Sequence, residues 1–157
     1  ESANVINTDA MKALRPFTEW GQRMAPSVIG SNYFNMVMEM IYPESLTDEI
    51  ANSGMAPVLQ IGRMDVPAAD EGEWNKWYSG VYVPNYEKCP GVIRGRRWKC
   101  VRGGPKYGVV YEFENENVSE TEAWLEQRDI HPDNVRMRDM MTHADMSPGI
   151  WKKTFQL

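Results

Sequence analysis

The chain carries two histidines, His131 and His143, and His143 has the neighbours that proton-transfer chemistry requires. Asp139 lies four residues before His143 on a predicted helix, so the two side chains can face the same side of that helix. A carboxylate that orients an imidazole makes a general base, and we therefore treat Asp139 and His143 as candidate catalytic residues. The alternative is a surface helix end, where a histidine also suits the negative end of the helix dipole.

The same cluster is too small to predict a metal site. Asp145 follows His143 by two residues, but one histidine with one or two carboxylates falls short of the ligand set of a zinc site. His131 precedes Pro132 and is interpreted as the beginning of a helix rather than as a base. We therefore predict no metal ligands.

An aromatic helix within residues 57–113 is the most informative predicted element. Its apolar side chains recur at i, i+3, i+4, i+7 and i+8, which is one stripe of a 3.6-residue period. These residues are Trp74, Trp77, Tyr78, Val81 and Tyr82. Short β-branched and aromatic runs at 58–64, 91–98 and 107–113 are interpreted as strands. Because the helix covers one face of the sheet, we expect the functional site on the face that it leaves free.

A second helical region and a last strand follow. Ser119 and Glu122 form a capping box, which predicts a helix over 119–127. A further helix is predicted over about 135–142, and the Ser-Pro-Gly sequence at 147–149 ends it before a strand over 150–157. Residues 57–157 are therefore predicted to form one complete β-α-β-β-α-β unit.

The first residues repeat the back end of this unit. The aligned pairs are Glu1 with Glu112, Asn4 with Asn115, Thr8 with Ser119 and Leu14 with Leu125. On this interpretation residues 1–42 are the helix and terminal strand (33–42) of a first unit, and residues 43–56 are a linker. The missing front end would come from another chain or a separate fragment, because an unpaired sheet edge is a liability. The alternative is an N-terminal helix and an extra strand without any repeat.

The bulk composition is that of an ordinary globular protein. The chain has 157 residues with 42% hydrophobic residues and a net charge of -5, which argues against a nucleic-acid partner. The basic residues at 94–99 lie on a predicted strand, so their side chains alternate between two faces. No apolar run approaches the length of a membrane span, so no membrane association is expected. Two cysteines are too few for a disulfide framework, and we expect a cytoplasmic protein.

Three motifs carry a resemblance to a known family. They are Glu73-x-x-x-Trp77-Tyr78-x-x-x-Tyr82-Val83-Pro84, Cys89-Pro90-Gly91-Val92 and Arg96-Arg97-Trp98. Residues 57–157 thereby resemble the dimeric α/β-barrel superfamily, in which two ferredoxin-like units pair their sheets into a barrel. The fold class that this resemblance implies is α+β. The resemblance implies a homodimer and a small enzyme without a tightly bound cofactor. Such an enzyme would act by proton transfer on an aromatic or hydrophobic metabolite, as an isomerase, lyase or monooxygenase.

One position departs from the family pattern. Many relatives carry a histidine before the Val-Pro pair, where this chain has Tyr82. A phenol titrates near pH 10, so Tyr82 is a candidate catalytic residue as a hydrogen-bond donor to a carbonyl or enolate rather than as a base. Its alternative role is that of an amphipathic residue that caps the sheet. Two other functions stay open, namely a non-catalytic ligand-binding or assembly protein, and a heme-binding member with His143 or His131 as axial ligand.

The walls of the predicted pocket follow from the barrel. One face of the strands must line the inside, where a polar residue such as Arg97 or Glu112 needs a partner or a ligand. The candidate substrate-binding residues are Trp77, Tyr78, Arg97 and Tyr111. Aromatic walls with a few polar groups would suit a planar hydrophobic ligand. The alternative is that the chain's six tryptophans and eleven methionines simply pack the core.

Overall fold

The structure is a computed structural model that describes residues 3–30, 36–45 and 47–154. Its centre is an antiparallel sheet with the strand order β1-β3-β4-β2. Two short strands, β5 and β6, also pair with β2. The strands are β1 (Val37–Tyr42), β2 (Val58–Asp65), β3 (Val92–Arg102), β4 (Tyr107–Phe113), β5 (Thr142–His143) and β6 (Gly149–Lys152). Within residues 57–154 the order β3-β4-β2-β6 is that of a ferredoxin-like unit, so the predicted α+β fold is confirmed.

One helical layer covers one face of this sheet. It is built from α5 (Glu71–Trp77), a π-helical turn (Tyr78–Tyr82) and α6 (Val83–Tyr86), which run on without a break. The face beneath it carries the odd-numbered residues of β4, which are buried because the aromatic stripe of the helix packs on them. Helix and sheet lie close together at Gly95, where an added Cβ would lie 2.5 Å from Val83 Cγ1. The aromatic helix and the three strands around it are therefore as predicted.

The C-terminal part differs from the prediction in its helices. Thr121, not Ser119, caps the helix α7 (Glu122–Glu126), since its side chain accepts a hydrogen bond from the Trp124 amide. Ser119 lies instead in a 3₁₀ turn (Val118–Glu120). The helix α8 (Asn134–Asp139) ends three residues earlier than predicted, and the chain continues into the short strand β5. The capping box was therefore misplaced, because Ser and Thr at 119 and 121 offer the same cap chemistry two residues apart.

The N-terminal part forms α1 (Asp9–Lys12), α2 (Glu19–Arg23), α3 (Pro26–Ile29) and strand β1, before the short helix α4 (Asp48–Asn52). Thr8 caps α1, and β1 extends the sheet by pairing with β3. Residues 33–35 of the predicted first terminal strand, residues 155–157 of the last one and Glu1 lie outside the described residues. The repeat itself stays a prediction. None of the helices within the described ranges has the length and apolar character needed to span a bilayer.

The uncovered face of the sheet carries a buried ion cluster. Glu112 is fully buried there and bonds to Arg94 (3.0 Å) and to Arg96. Register places Glu112 beside Leu59, and Val110 beside Ile61, so apolar residues surround the cluster. This pairing satisfies the buried carboxylate that the sequence placed on the strand.

Candidate functional site

A cavity of about 410 Å³ lies between the aromatic helix and the sheet. It is on the helix-covered side, whereas from the sequence we expect the site on the face that the helix leaves free. The reason is that α7, α8 and β5 continue the cavity wall beyond the edge of the aromatic helix. The lining residues are Gln60, Gly62, Met64, Tyr78, Tyr82, Tyr86, Val109, Tyr111, Trp124, Arg128, Arg138, Asp139, Met141, His143 and Pro148.

Four tyrosines form one side of this cavity. Tyr78, Tyr82 and Tyr86 succeed one another at a spacing of four along the helix, with ring centroids 5.0 and 4.8 Å apart. A π-helical turn holds more residues per turn than an α-helix, so it keeps side chains at this spacing on one side of the helix. Tyr111 joins them from β4, with its ring 5.5 Å from that of Tyr86.

The tyrosine hydroxyls stay protonated at neutral pH. Burial raises the pKa of Tyr82, whose hydroxyl lies 3.4 Å from that of Tyr86. Burial also raises the pKa of Tyr78 and Tyr111. Among the described residues, no group meets hydrogen-bond geometry with the buried Tyr111 hydroxyl, although it lies near enough to Tyr78 to affect the pKa of that residue. A buried hydroxyl without a partner is a polar group that a ligand can satisfy.

His143 and Asp139 both line the cavity, but not as a helical pair. The chain leaves the helix after Asp139, and His143 lies on β5 opposite Met64 of β2. In the part of the chain that the structure describes, no hydrogen bond or ion pair joins the two side chains, so the predicted i, i+4 geometry is wrong. Partial burial lowers the pKa of the His143 imidazole, which is therefore neutral at pH 7 and able to accept a proton.

Arg97 and Trp77 lie behind the cavity rather than among the residues that line it. The guanidinium of Arg97 is buried 4.4 Å from the ring centroid of Tyr78 and bonds to Ser79 Oγ (2.6 Å) and Asn75 Oδ1 (2.7 Å). Burial lowers the pKa of this group. Trp77 donates from Nε1 to Asn134 Oδ1 (3.1 Å). Of the four predicted wall residues, the structure thus places Tyr78 and Tyr111 in the cavity wall and the other two in its support.

The sequence missed several lining residues. Tyr86 could have been found, since it extends the aromatic stripe by four residues beyond Tyr82. Trp124, which packs 4.2 Å from the Tyr86 ring, and the arginines Arg128 and Arg138 follow no recognisable spacing. The described residues contain no group of three or more metal-ligating side chains.

Comparison with solved structures places this arrangement in a known fold. The sequence matches no protein-family model and no curated protein. A structure of the heme degrader MhuD from Mycobacterium tuberculosis, with two hemes bound in its active site, superposes with a TM-score of 0.50 and 21% identity over 64% of this chain and 99% of that one. A proposed monooxygenase from Fusobacterium nucleatum gives a TM-score of 0.45 and 11% identity over 95% of this chain and 60% of that one. The first likeness confirms the ferredoxin-like α+β fold, and it is a likeness of fold alone.

Proposed function

We propose that this protein is a monooxygenase-type enzyme that binds a planar aromatic molecule in the tyrosine-lined cavity. The observation that carries the proposal is the convergence of Tyr78, Tyr82, Tyr86 and Tyr111 on one cavity of about 410 Å³. This volume lies within the range of about 300–1,000 Å³ that small-molecule sites occupy. Flat rings with hydroxyl edges stack on a flat ligand and donate to its oxygen atoms.

The chemistry that the residues support is proton abstraction from the ligand. Neutral His143 accepts a proton from an acidic C–H bond, and the electron pair of that bond stays on the ligand as an enolate. Tyr82, kept protonated by burial, donates a hydrogen bond to the enolate oxygen. Asp139 lies in the same wall without bonding to the imidazole. Its proposed role is only to place a negative charge in the site.

An electron-rich enolate of this kind reacts with O₂ without a metal. For anthrone, a tricyclic ketone with an acidic methylene group, one O₂ is consumed per molecule. One oxygen atom forms the new carbonyl of anthraquinone, and the other leaves as water together with the two methylene hydrogens. The protein supplies binding, orientation and the proton acceptor.

The test is oxygen consumption with anthrone as substrate. Wild-type protein is expected to accelerate uptake over buffer, whereas His143→Gln and Tyr82→Phe lower the rate about 10²-fold or more. His131→Gln is the matched control, since its imidazole lies outside the cavity lining. Binding without turnover would instead support the non-catalytic ligand-binding alternative, and an unchanged rate in both variants would overturn the residue roles.

Heme is a second candidate ligand, favoured by the neutral imidazole of His143 in the cavity wall. The residues fit a porphyrin in kind, because the His143 imidazole would hold the iron and the tyrosines would offer a surface for the macrocycle. A bound heme would supply iron-based oxygen chemistry. Titration with hemin would then give a Soret band that shifts in His143→Ala and is unchanged in His131→Ala.

We also propose that the uncovered face of the sheet packs against a second copy of the chain or against a preceding unit of which residues 1–42 are the back end. Its support is the half-buried apolar surface of Leu59, Ile61 and Val110 around the Glu112 cluster. Light scattering of the purified chain tests the dimer, and Leu59→Glu is expected to shift it to a monomer.

A further inference from the structure

Among the charged side chains that line the cavity, positive ones outnumber negative ones. Arg128 and Arg138 are cationic, Asp139 is anionic, and His143 is the remaining basic group, held neutral. The chain as a whole has a net charge of -5, so a pair of arginines in one cavity runs against the overall charge. Both arginines lie between β4 and β5 in the chain. Arg128 follows α7, and Arg138 is part of α8.

Arg138 is held in place by its neighbours. Its Nε donates to the Asn134 carbonyl (3.3 Å), and its Nη2 donates to Asp129 Oδ1 (2.8 Å). Its side chain is only 16% exposed, whereas Asp129 is 64% exposed. Within the described residues Nη1 makes no such bond, so this donor stays available to a ligand.

Arg128 has no ion-pair or hydrogen-bond partner for its side chain among the described residues, although it lines the cavity. Both guanidinium groups act electrostatically on the hydroxyl of Tyr82, lowering its pKa against the larger effect of burial. The two arginines and Tyr82 line the same cavity. An unpaired guanidinium, a fixed one and a phenolic donor in one cavity are a set suited to a carboxylate.

We propose that Arg128 and Arg138 form an anion subsite of the cavity, so that it binds a planar aromatic acid more tightly than a neutral compound with the same rings. This inference rests on the proposed function, since it names the class of ligand for the same cavity. Arg138 supplies a preorganised donor, and Arg128 supplies the unpaired charge that the ligand neutralises. Arg128 is then a specificity-determining residue.

The experiment compares two fluorescent probes that differ by one anionic group. 1-Anilinonaphthalene-8-sulfonate carries a sulfonate, and N-phenyl-1-naphthylamine is the same ring system without it. Both are titrated into the wild type, Arg128→Ala and Arg136→Ala. Arg136 is the matched control because it lies on α8 but bonds to Glu73 on the surface, so its loss changes the net charge equally.

The sulfonate probe is expected to bind more tightly than the neutral one to the wild type. Arg128→Ala should weaken the sulfonate probe about tenfold and leave the neutral probe unchanged, while Arg136→Ala should leave both unchanged. Equal affinities for the two probes, or equal losses in Arg128→Ala and Arg136→Ala, would overturn the anion subsite and leave the aromatic cavity standing. If neither probe binds the wild type, both the subsite and the proposed function fall.

Discussion

Trp77 donates a buried hydrogen bond of 3.1 Å from its indole nitrogen to Oδ1 of Asn134. This bond joins the aromatic helix to α8, 57 residues further along the chain. Asn134 is 1% exposed, and its amide also donates to the Gln127 carbonyl at 2.9 Å. Asn134 thus joins the aromatic helix to α8, which supplies Arg138 and Asp139 to the cavity wall.

Replacing this asparagine is expected to destabilise the fold. Asn134→Ala leaves the Trp77 indole N–H and the Gln127 carbonyl without their partner, which costs about 2–4 kcal/mol of unfolding free energy. Urea denaturation followed by tryptophan fluorescence measures the change. Asn117→Ala, at an exposed residue whose side chain makes no capping bond, serves as the control. A midpoint equal to that of the control would show that the bond contributes nothing.

Glu112 should be the most sensitive carboxylate of the chain. Glu112→Ala leaves Arg94 and Arg96 as uncompensated cations on a buried part of the sheet, at a cost of about 3–5 kcal/mol. Glu116→Ala removes an exposed pair with Lys152, which solvent screens, so the variant should unfold close to the wild-type temperature. Thermal unfolding of the two variants separates these cases, and similar melting temperatures would contradict the burial of the cluster.

At Gly95 the sheet leaves no room for a side chain beneath the helix. An added Cβ would lie 2.5 Å from Val83 and 3.2 Å from the Tyr111 ring, so Gly95→Ala should force the helix away and cost about 1–3 kcal/mol. Gly72→Ala has open space around the new Cβ and lies in α5, so it should stabilise the protein by up to about 1 kcal/mol. Opposite signs in the two denaturation midpoints are expected, and two midpoints shifted the same way would argue against the packing described.

His143 should titrate below its ordinary pKa of 6.5, because partial burial disfavours the charged imidazole. As the pH falls below 6.5, the imidazole of the unfolded chain therefore binds a proton more readily than the imidazole of the folded chain. The stability contributed by neutral His143 is therefore present above about pH 6.5 and lost as the pH falls through the folded pKa. NMR titration of the ring protons, assigned with His143→Gln, measures this value, and a pKa at or above 6.5 would contradict the cavity position of the ring.

The aromatic helix and its three strands could be predicted because local pattern and tertiary packing agree there. Trp74 and Tyr78 repeat at helical spacing, and β4 presents aromatic and β-branched side chains at every second residue to the helix-covered face. The same agreement makes Tyr78, Tyr82 and Tyr111 recognisable as site candidates from the sequence.

The C-terminal part was harder to predict because competing signals lie close together. Thr121 and Ser119 are equivalent caps, and the helical spacing of Asp139 and His143 is overridden when β5 pairs with β2. Arg128 and Arg138 line the cavity because of the path that the chain takes around α8. No residue spacing in the sequence predicts that path.

In the proposed function, the tyrosine-lined cavity binds a planar aromatic molecule. The most direct test is titration with N-phenyl-1-naphthylamine in the wild type, Gln60→Trp and Leu59→Trp. Gln60 lines the cavity, whereas Leu59 is its neighbour on β2 and faces the other side of the sheet. We predict binding to the wild type and to Leu59→Trp, with affinity at least about tenfold weaker in Gln60→Trp. Unchanged affinity in Gln60→Trp together with a loss in Leu59→Trp would place the ligand on the uncovered face and contradict the account.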